Sequence, residues 1–183
     1  MTHWDALIIA GGAGTRLGGA SKPDITVGGT RLLERTLAAV AQAKQVVIVG
    51  GPPCDGARWT REDPPGSGPA MAVAAGMAAI SASATWTMVL AVDTPRVAQA
   101  VPLLHEAADR DGAWMVDAHA HPQPLLALYR SSVLRARCAQ VAPGQSMRRL
   151  VAGLDLVAVA DPHDLTRDLD TWDDAQYWKE QLG

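Results

Sequence analysis

A glycine-rich loop near the start of the chain carries two fixed positive charges. It runs from Gly11 to Pro23 and contains Arg16 and Lys22. Glycines let the backbone turn sharply and bring its N–H groups close to an anion. Arginine and lysine add charge-assisted hydrogen bonds, which are the strong ones. The loop therefore predicts a cradle for phosphate groups.

Two common phosphate-binding loops do not match this segment. A dinucleotide-binding loop needs a third glycine where the chain has Leu17, and an acidic residue after the second strand where it has Gly50. A P-loop needs lysine followed by serine or threonine, where the chain has Ala20 and Ser21. In both comparisons this segment lacks a residue that the chemistry of the motif requires, so the loop belongs to another class of phosphate-binding loop.

Asp93 is the main candidate for a metal ligand. It follows Val92 at the end of an apolar run, and Thr94 and Pro95 come next. Mg²⁺ prefers hard oxygen ligands and commonly binds one or two carboxylates together with substrate phosphates. The alternative is that Asp93 caps the N-terminus of the following helix.

The elements that position these residues alternate between strands and helices. Unbroken apolar runs indicate strands covered on both faces, and helical spacing separates them. We expect strands at 6–10, 46–49, 87–92, 113–117, 125–129 and 156–160, and helices at 32–41, 70–80, 97–110, 131–140, 146–153 and 171–182. This order predicts a three-layer α/β/α Rossmann-like sandwich with a mostly parallel, mixed sheet. Ligands of such sheets bind beyond the carboxyl ends of the strands, after Ala10, Val49, Val92 and Ala160.

Composition limits the classes of protein to consider. The chain has 183 residues, 48% hydrophobic and 19% charged, which predicts one domain spanning residues 1–183. A net charge of -3 argues against general binding of nucleic acid. Cys54 and Cys138 match no metal-ligand spacing and indicate reduced thiols. With no signal peptide and no apolar run of about 20 residues, we expect a cytoplasmic protein without membrane contact.

The first loop also carries a specific family resemblance. Ala10 to Pro23 follows the pattern A-G-G-x-G-[ST]-R-[ML]-G-x-x-x-K-P. It resembles the signature loop of the nucleotidyltransferase family that includes the molybdenum cofactor guanylyltransferases. The Asp-x-Pro of Asp93 is similar to the metal-binding motif of that family, and the resemblance extends over essentially the whole chain.

The resemblance implies roles for individual residues. Arg16, Lys22 and Asp93 would be catalytic, and Asp93 and Asp170 would bind Mg²⁺. Asp170 precedes Thr171 and Trp172, where the family usually has proline after the threonine, and Thr171 also makes a good helix start. The implied nucleotide-binding residues are Ile9, Ala10, Gly11, Gly12, Gly14, Thr15, Arg16, Lys22, Gly50, Asp63, Gly68 and Asp93.

Two further segments resemble the acceptor side of the family's cleft. His121-Pro122 is one, and an exposed hairpin or a zinc site including His119 are the alternatives. Arg148 and Arg149 form the other, where contact with the acceptor's phosphate and simple solvation are equally compatible with the pattern.

The reaction that the resemblance implies is transfer of GMP from GTP to molybdenum-loaded molybdopterin, with release of pyrophosphate. The implied partners are those two small molecules, with transient contacts to other proteins of molybdenum cofactor biosynthesis. The alternatives are a cytidylyltransferase using CTP, a guanylyltransferase acting on another small phosphorylated acceptor, and a non-catalytic nucleotide-binding regulatory module.

Overall fold

Seven strands form the central mixed sheet in a computed structural model that describes residues 3–11, 18–81 and 84–183. Their order is β5-β4-β1-β6-β8, and the parallel pair β7–β9 continues the sheet beside β8. β1 pairs in parallel with β4 and β6, whereas β8 runs antiparallel to β6. The strands are β1 (Trp4–Ile9), β4 (Val46–Val49), β5 (Arg58–Thr60), β6 (Trp86–Ala91), β7 (Gly112–Val116), β8 (Pro122–Arg130) and β9 (Leu156–Ala160).

A small hairpin and six α-helices complete the described part of the chain. β2 (Thr26–Val27) and β3 (Thr30–Arg31) form the hairpin, which follows a short 3₁₀ helix (Lys22–Asp24). The helices are α1 (Leu32–Ala39), α2 (Pro69–Ala79), α3 (Val97–Ala107), α4 (Ser131–Cys138), α5 (Met147–Leu150) and α6 (Trp172–Leu182). No helix in these ranges is long and apolar enough to cross a membrane.

The alternation of side chains along β1 divides the core into two layers. Ala6 and Ile8 pack on one face with residues of α1, α3 and α6. Leu7 and Ile9 pack on the other face with residues of α2, α4 and α5. Successive residues of a strand point to opposite faces, so an unbroken apolar run supplies both layers. The predicted three-layer sandwich with a mostly parallel sheet is confirmed.

Most predicted elements are present with shifted ends. The strand at 46–49 and the strand at 156–160 have the predicted bounds, but the predicted helix 97–110 ends at Ala107 and the predicted helix 146–153 is only Met147–Leu150. β2, β3 and β5 were not predicted. Each has two or three residues, too few to show a periodic pattern.

Candidate active site

The candidate site centres on the ammonium group of Lys22. Its Nζ lies 2.7 Å from Oδ2 of Asp93 and also forms an ion pair with Oδ1 of Asp170. The three side chains are partly exposed, at 17%, 21% and 35% in that order. The structure thus brings together three predicted site residues that are separated by 71 and 148 positions along the chain.

Each of these three residues is fixed by a different element. Lys22 opens the 3₁₀ helix, where the buried ring of Pro23 fixes the backbone direction. Asp93 follows the carboxyl end of β6, and the Val92 N–H donates to the carbonyl of Ile9 in β1 at 3.1 Å. The N-cap of α3 is Arg96. Asp93 is therefore not a helix cap, and that alternative is wrong.

Asp170 is held close to Asp93 by a backbone hydrogen bond. The N–H of Leu169 donates to the Asp93 carbonyl at 2.8 Å, and the Leu169 side chain is fully buried. Thr171 caps α6, receiving a hydrogen bond from the Asp174 N–H while the Asp174 carboxylate accepts from the Thr171 N–H. Since Thr171 and Asp174 form the cap, the Asp170 carboxylate is available to reach Lys22.

Arg96 connects the segment that carries Asp93 to the segment that carries Asp170. Its Nη1 donates to the His163 carbonyl at 2.9 Å. Its guanidinium carbon also lies 5.3 Å from the centre of the Trp178 ring in α6, a cation–π distance. These contacts tie the segment after β6 to the segment that leads into Asp170.

The electrostatics of the cluster favour a cation. Burial by itself lowers the pKa of Lys22, but the attraction of Asp93 and Asp170 outweighs it, so the net pKa is raised. The pKa of Asp168 is also raised, first by desolvation and then by repulsion from Asp170 and Asp93. Asp93 and Asp170 thus contact the Lys22 ammonium directly, and Asp168 is a third carboxylate that interacts electrostatically with all three groups.

The donor set fits a magnesium ion completed by other ligands. The oxygens of Asp93 and Asp170 converge on a single cationic atom, Lys22 Nζ, so they can reach one ion. In the ranges that the structure describes, no three His, Cys, Asp or Glu side chains are arranged to hold a metal. Two carboxylates with water and substrate phosphates are the usual environment of Mg²⁺ in nucleotide enzymes.

The backbone predicted to contact the nucleotide lies at the same edge of the sheet. Ala10 and Gly11 both donate N–H bonds to the Val49 carbonyl, at 2.9 and 3.1 Å. A Cβ on Gly50 would lie 2.7 Å from the Cα of Gly11, which is too close for any side chain. Only glycine at position 50 permits this approach of the loops after β1 and β4.

The other predicted nucleotide-binding residues lie near the start of α2 or outside the described ranges. Gly12, Gly14, Thr15 and Arg16 lie outside the described residues. Asp63 is exposed in the loop before α2, and Gly68 is the N-cap of that helix.

The predicted acceptor-side residues lie in two places. His119 and His121 flank the turn between β7 and β8, where both of their N–H groups donate to Asp117 at 2.8 Å. Arg148 and Arg149 are exposed in α5. The N–H of Gly144, just before α5, donates to the Ser67 carbonyl at 2.9 Å, which connects this segment to the loop of Asp63.

Sequence reasoning missed Asp168 and Arg96. Asp168 lies two positions before Asp170, and this close spacing of two carboxylates is the feature of the sequence that could have identified it. Arg96 gave no signal, because its partners His163 and Trp178 are distant in the chain.

The Lys22 cluster lies at the carboxyl edge of a mixed, mostly parallel sheet, which is where open α/β proteins bind their ligands. A family model described as the MobA-like NTP transferase domain matches residues 6–160. The chain belongs to this family, and the resemblance of its first loop to the nucleotidyltransferases is confirmed.

The chain is also similar to individual known proteins. The chain is 37% identical over 103 residues to the molybdenum cofactor guanylyltransferase of Acidiphilium cryptum. The matched segment covers 51% of this chain and 52% of the relative. The match thus spans about half the length of that relative. The fold is similar to that of molybdopterin-guanine dinucleotide biosynthesis protein A from Archaeoglobus fulgidus, with a TM-score of 0.69, 21% identity and 97% of each chain covered. It is also similar to a nucleotidyl transferase from Methanothermobacter thermautotroptrophicus, with a TM-score of 0.76, 18% identity, and 98% and 97% of the chains covered.

Proposed function

We propose that this protein transfers GMP from GTP to molybdopterin, with Mg²⁺ as cofactor and pyrophosphate as leaving group. The observation that carries the proposal is the convergence of Asp93 and Asp170 on one cation at the carboxyl edge of the sheet. The acceptor and the base are proposed from the similarity to the guanylyltransferase of Acidiphilium cryptum.

The chemistry needs no general base. The terminal phosphate of the acceptor is anionic at neutral pH and can attack the α-phosphorus of GTP directly. A bond forms between an acceptor oxygen and that phosphorus, and the bond to the pyrophosphate oxygen breaks. The enzyme then contributes orientation and neutralisation of charge, as in phosphoryl transfer generally.

The residues of the site divide this work. Asp93 and Asp170 would hold Mg²⁺, which supplies positive charge at the phosphates when bound. Lys22 neutralises the negative charge that develops on the departing pyrophosphate, and Arg16 on the same glycine-rich loop has the same proposed role. On nucleotide binding, the Lys22 ammonium exchanges its carboxylate partners for phosphate oxygens, since both are anionic acceptors.

The test is pyrophosphate release in the presence of Mg²⁺, with GTP or CTP, and with or without molybdopterin. We expect release that requires molybdopterin and prefers GTP. Preference for CTP would replace the proposal with a cytidylyltransferase. Nucleotide binding without release under any condition would contradict catalysis on this acceptor and favour another acceptor or a binding module.

A further inference from the structure

Trp59 is an exposed aromatic residue whose polar atom is nevertheless engaged. It lies in β5, the edge strand, and 41% of the residue is exposed. Its indole Nε1–H lies 3.2 Å from the carbonyl oxygen of Gly50 and 3.1 Å from that of Gly51. The indole therefore holds two successive peptide groups of the loop that leaves β4.

This loop packs closely on the segments that lead to the Lys22 cluster. Gly50 and Gly51 both have positive φ angles, of 71° and 61°. A Cβ on Gly51 would lie 2.9 Å from Cβ of Ala10 and 3.2 Å from Cγ of Pro23, the residue after Lys22. A shift of the Gly50-Gly51 backbone would therefore disturb both the end of β1 and the 3₁₀ helix.

The two hydrogen bonds also fix the direction of the loop's remaining donor. In a trans peptide the carbonyl and the following N–H point in opposite directions. With the Gly50 carbonyl turned toward Trp59, the Gly51 N–H points away from the indole. The next residue, Pro52, has no N–H. Trp59 thus sets the orientation of the one N–H that these two peptide groups offer to an acceptor atom.

We infer that Trp59 is a positioning residue for the nucleotide base, an inference that rests on the proposed function. Its indole N–H contacts Gly50 and Gly51 and orients their peptide groups. In this inference the Gly51 N–H then donates to an acceptor atom of the base, such as O6 of guanine. Glycines fit the site because they permit close backbone approach, but they are conformationally free. The hydrogen bonds from Trp59 restrain the backbone of these two glycines and so preserve the geometry in which they would contact the base.

The inference is tested by the affinity of the protein for GTP with Mg²⁺, measured by calorimetry on Trp59→Phe and Trp59→Ala. Phenylalanine keeps an aromatic ring and loses the N–H. We expect both variants to raise the Kd for GTP by about three- to tenfold, the equivalent of one ordinary hydrogen bond. In the pyrophosphate assay, KM for GTP should rise while kcat at saturation stays unchanged, because Lys22, Asp93 and Asp170 remain in place.

A matched control is available at the amino end of the central strand β6. Trp86 begins β6, and its ring lies 4.7 Å from the guanidinium carbon of Arg130. Trp86→Phe makes the same chemical change away from the Gly50-Gly51 loop, so the Kd for GTP should match that of the unmodified protein.

Each outcome has a defined meaning. If Trp59→Phe binds GTP as tightly as the unmodified protein, the N–H has no positioning role and the inference is wrong. If Trp59→Phe is normal and Trp59→Ala is weak, the ring contacts the base directly, which also overturns positioning by the N–H. A fall in kcat with unchanged Kd would overturn it as well. If the unmodified protein binds no nucleotide, the proposed function itself fails, whereas normal turnover with an unaffected Trp59→Phe contradicts only this inference.

Discussion

Two strands of the sheet are each followed by an aspartate at the same edge, and the two carboxylates make different contacts. Asp93 follows β6 and directs Oδ2 at Lys22. Asp161 follows β9 and accepts hydrogen bonds from the N–H groups of His163, Leu165 and Thr166 and from the Thr166 hydroxyl, at 2.7–3.0 Å. One carboxylate pairs with the ammonium group of Lys22, and the other accepts hydrogen bonds from the turn that follows it.

The difference shows that a position after a strand, at the carboxyl edge of the sheet, does not by itself identify a metal ligand. Residues after both strands lie where ligands of open α/β sheets bind. A carboxylate there is a candidate ligand only when its oxygens are not already used by nearby backbone N–H groups. Asp161 stabilises the turn that leads to Leu169 and Asp170, so its contribution to the site is indirect.

The largest expected effect separates the two aspartates by activity. Asp93→Asn keeps the shape of the side chain but removes the charge that faces the cation. We expect turnover to fall by about 10²–10³-fold, a usual cost for losing one electrostatic contact in a transition state. Asp161→Asn should retain most turnover, and comparison of initial rates of pyrophosphate release checks both. Near-normal turnover in Asp93→Asn would show that the assigned role is wrong.

The next effect concerns the cation between the two loops. Lys22→Ala removes the charge that faces the leaving pyrophosphate, and we expect about a 10²-fold loss of kcat. Lys22→Arg, which keeps the charge with a different shape, should lose less. Steady-state kinetics on both variants make the check, and equal losses in the two would indicate that shape rather than charge governs the role of Lys22.

Asp161→Ala should reduce stability rather than chemistry. We expect a loss of about 1–3 kcal/mol in the free energy of unfolding at pH 7, because several N–H donors lose their acceptor. Chemical denaturation measures it. Asp155→Ala is the control, since that exposed residue lies near the other end of β9 and pairs with exposed Arg110. Equal losses in the two variants would contradict a special role for Asp161.

The Asp161 effect should also depend on pH. Burial by itself raises the pKa of Asp161, but the hydrogen bonds from Leu165, Thr166 and His163 outweigh it and lower the net pKa below 3.8. A carboxyl with a lowered folded-state pKa stabilises the fold above its unfolded pKa and loses that contribution as pH falls through the folded value. The difference between Asp161→Ala and the unmodified protein should therefore shrink below about pH 3.8.

The smallest effect concerns Asp5, which is buried near the amino end of β1 and accepts a hydrogen bond from the Gln45 side-chain amide at 3.3 Å. Burial raises the pKa of Asp5 above its ordinary value of 3.8, against the opposing influence of Gln45 and Lys44. A raised acid pKa means that stability falls as pH rises from the unfolded pKa through the folded one. Asp5→Asn should therefore raise Tm by about 1–3 °C at pH 7 and by nothing near pH 3. A lower Tm at pH 7 would contradict this.

The sequence was sufficient for the central strands and for the family to which the chain belongs. The apolar runs of β1, β4 and β6 are long enough to identify buried strands, and their spacing predicts the sandwich. Lys22, Asp93 and Asp170 were chosen from motifs, and the structure brings them together. Their nucleotide and metal roles stay predictions.

The rest depends on contacts between distant residues. β5 has only three residues, so nothing in the sequence marks Trp59 as the partner of Gly50 and Gly51. The role of Asp161 depends on a turn formed by the five residues that follow it. Arg96 depends on a ring that is 82 positions away, Trp178. Such pairings require the folded chain.

The role of Asp93 and Asp170 as metal ligands is tested by the binding of Mn²⁺, a paramagnetic substitute for Mg²⁺, measured by electron paramagnetic resonance in the presence of GTP. We expect the unmodified protein and Asp161→Asn to bind the ion with similar affinity, and Asp93→Asn to lose at least tenfold in affinity, about 1.4 kcal/mol. Equal binding by Asp93→Asn and Asp161→Asn would contradict the assignment of Asp93 to the cation site.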